Sequence, residues 1–379
     1  MLSHEREDTS QNGISSQTGW RTAGAWHTFE NMPPPWDNQS SVAFRDPIAE
    51  TDFTIQLRPL IFGDSETETG SVKETRRRTF MGIDIHTARF LLARRKEKAS
   101  FERCATLGRQ HYYMSNSETR SLLKDCGLVP DDFPNLFPKE YPTYSEPFWQ
   151  MLGAKTLHTI DASNFEGATH VHDMNQPVPD SWKAAYDAVC DCGTLEHVFN
   201  FPVAIRNCME MVKCGGYFFT QTPANNYLGH GFYQFSPELF FRVLSPKNGF
   251  KVEYCIAVEC RPRCRLFAIA DPEAILARVA LINAAPVILF VWAKRVEIKP
   301  LFLETPQQSD YAAAWAVSAA KQNLRNPSSA QPLERIKNSL LLIAPRLARV
   351  LDALRFSRFN RRFSFRNSKS FTRISKPPR

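Results

Sequence analysis

The sequence predicts an α/β fold built on a doubly wound, mostly parallel sheet. Three observations carry that expectation. Tyr186–Cys192 is a continuous apolar run that ends in Gly193-Thr194, which reads as a buried strand feeding a turn. A helical stretch expected from Leu195-Glu196-His197 to Cys214-Gly215-Gly216 leads to a second strand at Phe218–Gln221, completing a βαβ unit. The polar residues of this segment (Asp191, Gly193, Thr194, His197, Asn225, His230, Tyr233) collect at one end, and an open parallel sheet places its ligand crevice outside the carboxyl ends of its strands.

The other elements follow in order. Ala88, Leu91 and Leu92 recur at helical spacing after Ile83, and Arg103–Leu107 is a strand that ends at Gly108. Ser117-Glu118-Thr119-Arg120 signals a helix start, Ser145–Leu152 a further helix, and Thr156–Ile160 and Thr169–His172 two more strands. Ser236-Pro237-Glu238 opens a helix with proline at its first position, and Val252–Val258 and Val287–Ala293 complete the sheet. A last helix is expected after Tyr311. The run Leu281–Ala293 is broken by Asn283 and Pro286 and is too short to span a bilayer, so it is expected as a buried strand.

Residues 1–79 are rich in Ser, Thr, Gln, Asn, Gly and Pro and are expected to be disordered, apart from Trp20, Trp26, Trp36 and Phe53, which could dock on the body. The α/β domain is expected over 80–320. A polar linker near 323–331, an apolar stretch at 333–354 and a basic tail make up 321–379. The net charge of +8 is an end effect, because nine Lys and Arg residues follow Asp352 with no acid among them. Nine scattered cysteines and no apolar leader segment point to reduced thiols and a cytoplasmic setting. Neither Cys190/Cys192 nor Cys260/Cys264 has a matching pair at zinc-site spacing, so no metal site is expected.

Asp187-Ala188-Val189, then Gly193-Thr194-Leu195-Glu196-His197-Val198, Lys213-Cys214-Gly215-Gly216 and Pro223 together resemble the fourth-to-fifth-strand segment of class I S-adenosylmethionine (SAM)-dependent methyltransferases. The run from Gly229 to Glu238, with Ile160-Asp161-Ala162-Ser163 and His172-Asp173-Met174-Asn175, is similar to a narrower methyltransferase-like group. The resemblance covers roughly 80–311 and implies a Rossmann-like sheet, SAM as cofactor and transfer of a methyl group.

It implies roles for particular residues too. Asp161, directly after a strand, stands where the family accepts the ribose hydroxyls, or is a strand-end turn residue. Asp173 stands where the family contacts adenine, or closes an Asx turn. Gly108, Asp191, Gly193 and Thr194 would shape the rest of the cofactor pocket, although the family's Gly-x-Gly-x-Gly is reduced here to Gly108 alone, with Arg109 or Gln110 in reach of an amino-acid carboxylate. His197, His230 and Tyr233 are the candidate catalytic residues. An imidazole suits removal of a hydroxyl proton near neutrality, whereas a purely structural His197 would fix its turn. Asn225 and Asn226 could bind substrate hydroxyls.

The expected activity is O-methylation of a small-molecule or glycan-like acceptor. The alternative is a non-catalytic scaffold of the same fold. A nucleotide-binding oxidoreductase is disfavoured because no Gly-x-Gly-x-x-Gly follows a strand. The tail interleaves Arg with Phe, as in Arg358-Phe359-Asn360-Arg361-Arg362-Phe363, which suits peripheral contact with an anionic membrane, while nothing resembles a sequence-reading nucleic-acid fold. Oligomeric state is not legible.

Overall fold

The computed structural model describes residues 82–133, 143–261, 263–322 and 360–374. The expectations of disorder over 1–79, of a linker near 323–331 and of the apolar stretch 333–354 lie outside the described residues.

Helix α1 (Ile85–Lys96) starts where the Asp84 carboxylate accepts the N–H groups of His86 and Thr87. Strand β1 (Arg103–Leu107) follows. A two-residue strand β2 (His111–Tyr112) precedes α2 (Asn116–Asp125), whose cap is a Ser115/Glu118 capping box, two residues before the expected start. β3 (Thr143–Tyr144) pairs with β2, and α3 (Glu146–Leu152) ends on left-handed Gly153. Then come β4 (Thr156–Asp161), β5 (His170–Val171) and β6 (Tyr186–Cys192). All seven residues of β6 are buried, as a strand with both faces covered requires.

The expected helix from Leu195 begins later. Leu195–His197 is a single 3-10 turn, and α4 (Phe201–Met211) starts with Pro202 in its first turn. Cys214-Gly215-Gly216, expected as a helix stop, lies inside the long strand β7 (Val212–Asn225). There Gly216 permits close approach, since a Cβ would meet the Asp187 carbonyl oxygen at 2.8 Å.

After β7 come α5 (Pro237–Val243), β8 (Phe250–Glu259), β9 (Arg265–Ile269) and α6 (Pro272–Ile275). β10 (Val287–Arg295) and α7 (Ser309–Gln322) follow. β10 takes only the second half of the apolar run expected as one strand from Leu281. β11 (Phe371–Ile374) is the last strand.

Nine strands form one sheet in the order β11-β9-β8-β10-β7-β6-β1-β4-β5. β5, β4, β1, β6 and β7 are parallel. β10 is antiparallel to both β7 and β8, and β9 is antiparallel to both β8 and β11, so β9 and β10 oppose the other seven strands. The chain leaves β1 toward β4 and β5 on one side, then returns to build β6 and β7 on the other. This is the expected Rossmann-like, doubly wound, mostly parallel sheet, with its switch point at β1.

Apolar residues cover both faces. Phe90, Trp149, Phe219, Phe290 and Trp292 pack between the sheet and α1 and α3, while Leu195, Ile205, Met209, Phe218 and Phe240 pack on the α4 and α5 side. Full burial of such side chains stabilises by about 1.5–3 kcal/mol each before entropy is set against it.

The chain's basic end corrects the sequence-based boundary at residue 320. β11 is an edge strand of the sheet, Phe371 is buried, and the Phe365 ring stacks on Phe267 at 4.0 Å with 9° between planes. Arg361, Arg362, Arg366, Lys369 and Arg373 remain exposed around this docked segment. No described helix is long and apolar enough to cross a membrane.

Candidate functional site

The loops after β1, β4 and β6 meet at the switch point. Gly108 adopts φ +73°, and a Cβ there would lie 3.2 Å from Thr194 Oγ1, 3.2 Å from Gln110 Nε2 and 3.9 Å from Asp161 Oδ2. Its N–H donates to the Ile160 carbonyl at 2.6 Å, and the Thr194 hydroxyl donates to the Leu107 carbonyl at 3.0 Å. Three sequence-selected residues, Gly108, Asp161 and Thr194, are therefore brought together at the switch point. Asp161 Oδ1 accepts the Ser163 N–H at 3.0 Å, and its Oδ2 has no hydrogen-bond partner among the described residues.

Other candidates are already engaged in holding the loops. Asp191 is wholly buried and accepts from the Thr194 N–H at 2.9 Å, the Leu195 N–H at 3.2 Å and the Thr220 hydroxyl at 2.6 Å. Burial pushes its carboxyl up despite these donors. It shapes the turn containing Gly193 (φ +103°) and is not a pocket-lining acid. Asp173 is exposed and accepts the Asn175 N–H at 2.9 Å and its side-chain amide at 2.7 Å, so the Asx turn is what forms, and those bonds hold its carboxyl below the usual range.

Arg109 pairs with Glu146 at 2.5 Å, donates to the Glu166 carbonyl at 2.8 Å and covers the Tyr144 ring, and the Gln110 amide donates to the Leu107 carbonyl. Neither side chain points free into the crevice. Asn225 and Asn226, expected as substrate contacts, donate instead to Asn283 at 2.8 and 3.1 Å, pinning the loop before β10.

The loop after β7 folds over the 3-10 turn. The Glu196 carbonyl accepts from the N–H groups of Phe232 at 2.8 Å and Tyr233 at 3.2 Å. Gly231, at φ +70°, is required there because a Cβ would lie 2.8 Å from that oxygen. The His197 and His230 rings come together at 5.0 Å between centroids, inclined by 70°. His197 is exposed. Partial burial, with the neighbouring His230 adding to it, lowers its pKa.

Tyr233 departs from this pair. Its hydroxyl donates to the Phe199 carbonyl at 2.6 Å, and its ring packs on Phe235. It is a latch on the loop.

Sequence reasoning did not single out the side chain of Glu196 for chemistry. It is fully buried, its Oε1 has no hydrogen-bond partner, and it faces His230 Nε2 at 3.4 Å. Burial pushes the Glu196 carboxyl up, and the charge of Asp191 pushes it further. The strand-to-turn junction fixes its place, but no local pattern foretells its burial.

Two cavities lie apart from the Gly108, Asp161 and Thr194 cluster. One, of about 380 Å³, is lined by Pro237, Glu238, Arg242, Pro272, Arg278 and Gln307; an apolar one of about 170 Å³ touches Asn225, Phe235 and Phe371.

Fold and crevice together define a doubly wound α/β protein whose polar residues gather at the switch point. Among solved structures, the chain is similar to the branched-chain polyamine synthase from Thermus thermophilus in complex with N4-aminopropylspermidine and 5'-methylthioadenosine, at 13% identity over 60% of each chain with a TM-score of 0.28. It is similar to the trans-methyltransferase CalH in complex with SAH, at 12% identity over 55% of each chain with a TM-score of 0.30. It is also similar to TehB from Haemophilus influenzae, at 10% identity over 54% of this chain and 61% of that one, with a TM-score of 0.29. The chain thus spans 60%, 55% and 61% of the lengths of these neighbours. No family model and no curated protein matches the chain.

Proposed function

We propose that this chain is a SAM-dependent methyltransferase acting on a hydroxyl of a small-molecule or glycan-like acceptor. The observation that supports it is the convergence of Gly108, Asp161 and Thr194 at the switch point, where a doubly wound sheet holds its ligand. The arrangement fits the cofactor in two respects: Gly108 presents backbone without a side chain at the switch point, and Asp161 Oδ2 is left as an acceptor for ribose hydroxyls. When bound, SAM supplies an electrophilic methyl group on a sulfonium sulfur.

The chain's own residues would do the rest. Gly108 allows backbone to approach the ligand, and Asp161 holds the ribose. His197, neutral near pH 7 because its pKa is lowered, would accept the acceptor's hydroxyl proton, with His230 beside it fixing orientation. Positioning accounts for much of the rate in such a transfer, which suits a site assembled from three tied loops.

Calorimetric titration with SAM and with its demethylated product tests the reading. Asp161→Ala is expected to weaken SAM binding more than tenfold, from loss of a charged hydrogen bond worth about 1.5–3 kcal/mol. A parent protein that binds neither ligand would leave the scaffold alternative. We further propose that the exposed arginines around β11 contact anionic membrane surfaces, which vesicle sedimentation at two salt concentrations tests.

A further inference from the structure

Glu196, His197 and His230 each offer a ligand atom, and these three atoms lie within 4.8 Å of one another. Among the described residues this is the one cluster of its kind, and it sits where the loop after β7 is stitched to the turn after β6. Glu196 Oε1 and His230 Nε2 are both buried, both lack a hydrogen-bond partner and stand 3.4 Å apart. Burying two polar atoms is costly unless they share a proton with each other or a common ligand binds both.

We propose that Glu196, His197 and His230 bind a divalent transition cation of the zinc or cobalt kind. Donors bound at about 2.0–2.2 Å around such an ion stand roughly 3–3.5 Å from one another, so the Glu196–His230 pair is already at ligand spacing. His197, exposed and one residue along the same turn, closes the third side by rotating its ring. Two imidazoles and one carboxylate suit this class of ion and leave coordination positions open on the solvent side.

The framework is rigid where it needs to be. The Glu196 carbonyl holds Phe232 and Tyr233, the His197 N–H donates to the Thr194 carbonyl at 2.9 Å, and the His230 N–H donates to the Tyr227 carbonyl at 2.9 Å. With the cation bound, His197 and His230 would offer their lone pairs to the metal, and His197 would then hold the ion in place of acting as the base, the ion itself acidifying an acceptor hydroxyl. That hydroxyl would then occupy an open position. That last role rests on the proposed function, whereas cation binding does not.

The test is therefore made without SAM. Untagged, chelator-stripped full-length protein is titrated with Co²⁺ and followed by visible absorption and calorimetry. One equivalent is expected, with a d–d band and no thiolate charge-transfer band, because the ligands are nitrogen and oxygen. Glu196→Gln and His230→Ala should each weaken binding more than tenfold. His197→Ala, at an exposed position, should also weaken it, while His172→Ala, at a half-buried position away from the cluster, should not. No binding by the parent, affinity unchanged in His197→Ala and His230→Ala, or a thiolate band would each overturn the proposal. The first of these would assign Glu196 and His230 to a shared proton.

Discussion

The Thr194 hydroxyl donates to the Leu107 carbonyl at 3.0 Å, tying the loop after β6 to the end of β1 across the switch point. Gly108, the next residue, lies under that tie.

Gly108→Ala places a methyl group 3.2 Å from Thr194 Oγ1 at a φ of +73°, which an L-residue adopts with strain. A stability loss of about 1 kcal/mol is expected in denaturant titration, together with a loss of SAM affinity greater than tenfold. Unchanged affinity in a strained but folded variant would move the ligand away from Gly108.

Tyr233→Phe removes the hydrogen bond to the Phe199 carbonyl and keeps the ring packed. Stability should fall by about 0.5–1.5 kcal/mol, while methyl transfer, once an acceptor is in hand, changes little. A hundredfold drop in turnover at unchanged melting temperature would return Tyr233 to the chemistry.

Phe365→Ala removes the ring stacked on Phe267 and loosens the edge that β11 forms on β9. A loss of about 1.5–3 kcal/mol is expected, below that of a fully buried phenylalanine because Phe365 is half-buried. Truncation after Leu354 should cost more, since it also removes buried Phe371 and unpairs β9. Thermal unfolding of both variants checks this, and equal stability to the parent would make the docked segment irrelevant to the fold.

Glu259, at the end of β8, is buried and pairs with Arg261 at 3.0 Å and with Arg265. Burial alone raises its carboxyl pKa, but the hydrogen bonds from Arg261, Arg265 and Asn283 outweigh it, leaving a net lowering. A folded-state pKa below the unfolded one, about 4.3, contributes stability above that pH and loses it as pH falls through the folded value. The melting-temperature gap between the parent and Glu259→Gln should be full at pH 7 and shrink as pH falls below the unfolded value and through the lower folded one. A gap that is constant with pH would place the stabilisation in packing.

What the sequence made legible follows physical range. β1 and β6 were readable to the residue because apolar runs end at turn formers, and Gly108, Asp161 and Thr194 could be placed together because each stands at or within two residues of a strand's end. The helix at Leu195 was misplaced because the Asp191 carboxylate takes the N–H groups of Thr194 and Leu195, closing a short turn before a helix can propagate. Side chains with distant partners were opaque: Asn225 and Asn226 meet Asn283, and Arg109 meets Glu146. β9 and β11 are short, and their strand character comes from pairing with β8 and with each other.

The pairing of β11 with β9 joins segments separated by about a hundred residues, and this orders events during synthesis. At ~5–20 residues per second, the outer edge of β9 waits on the order of 5–20 s for its partner to leave the ribosome. An unpaired strand edge is a template for other chains during that interval. Arg373, exposed on β11 itself, leaves the sheet's completed outer edge carrying charge once the last strand has arrived.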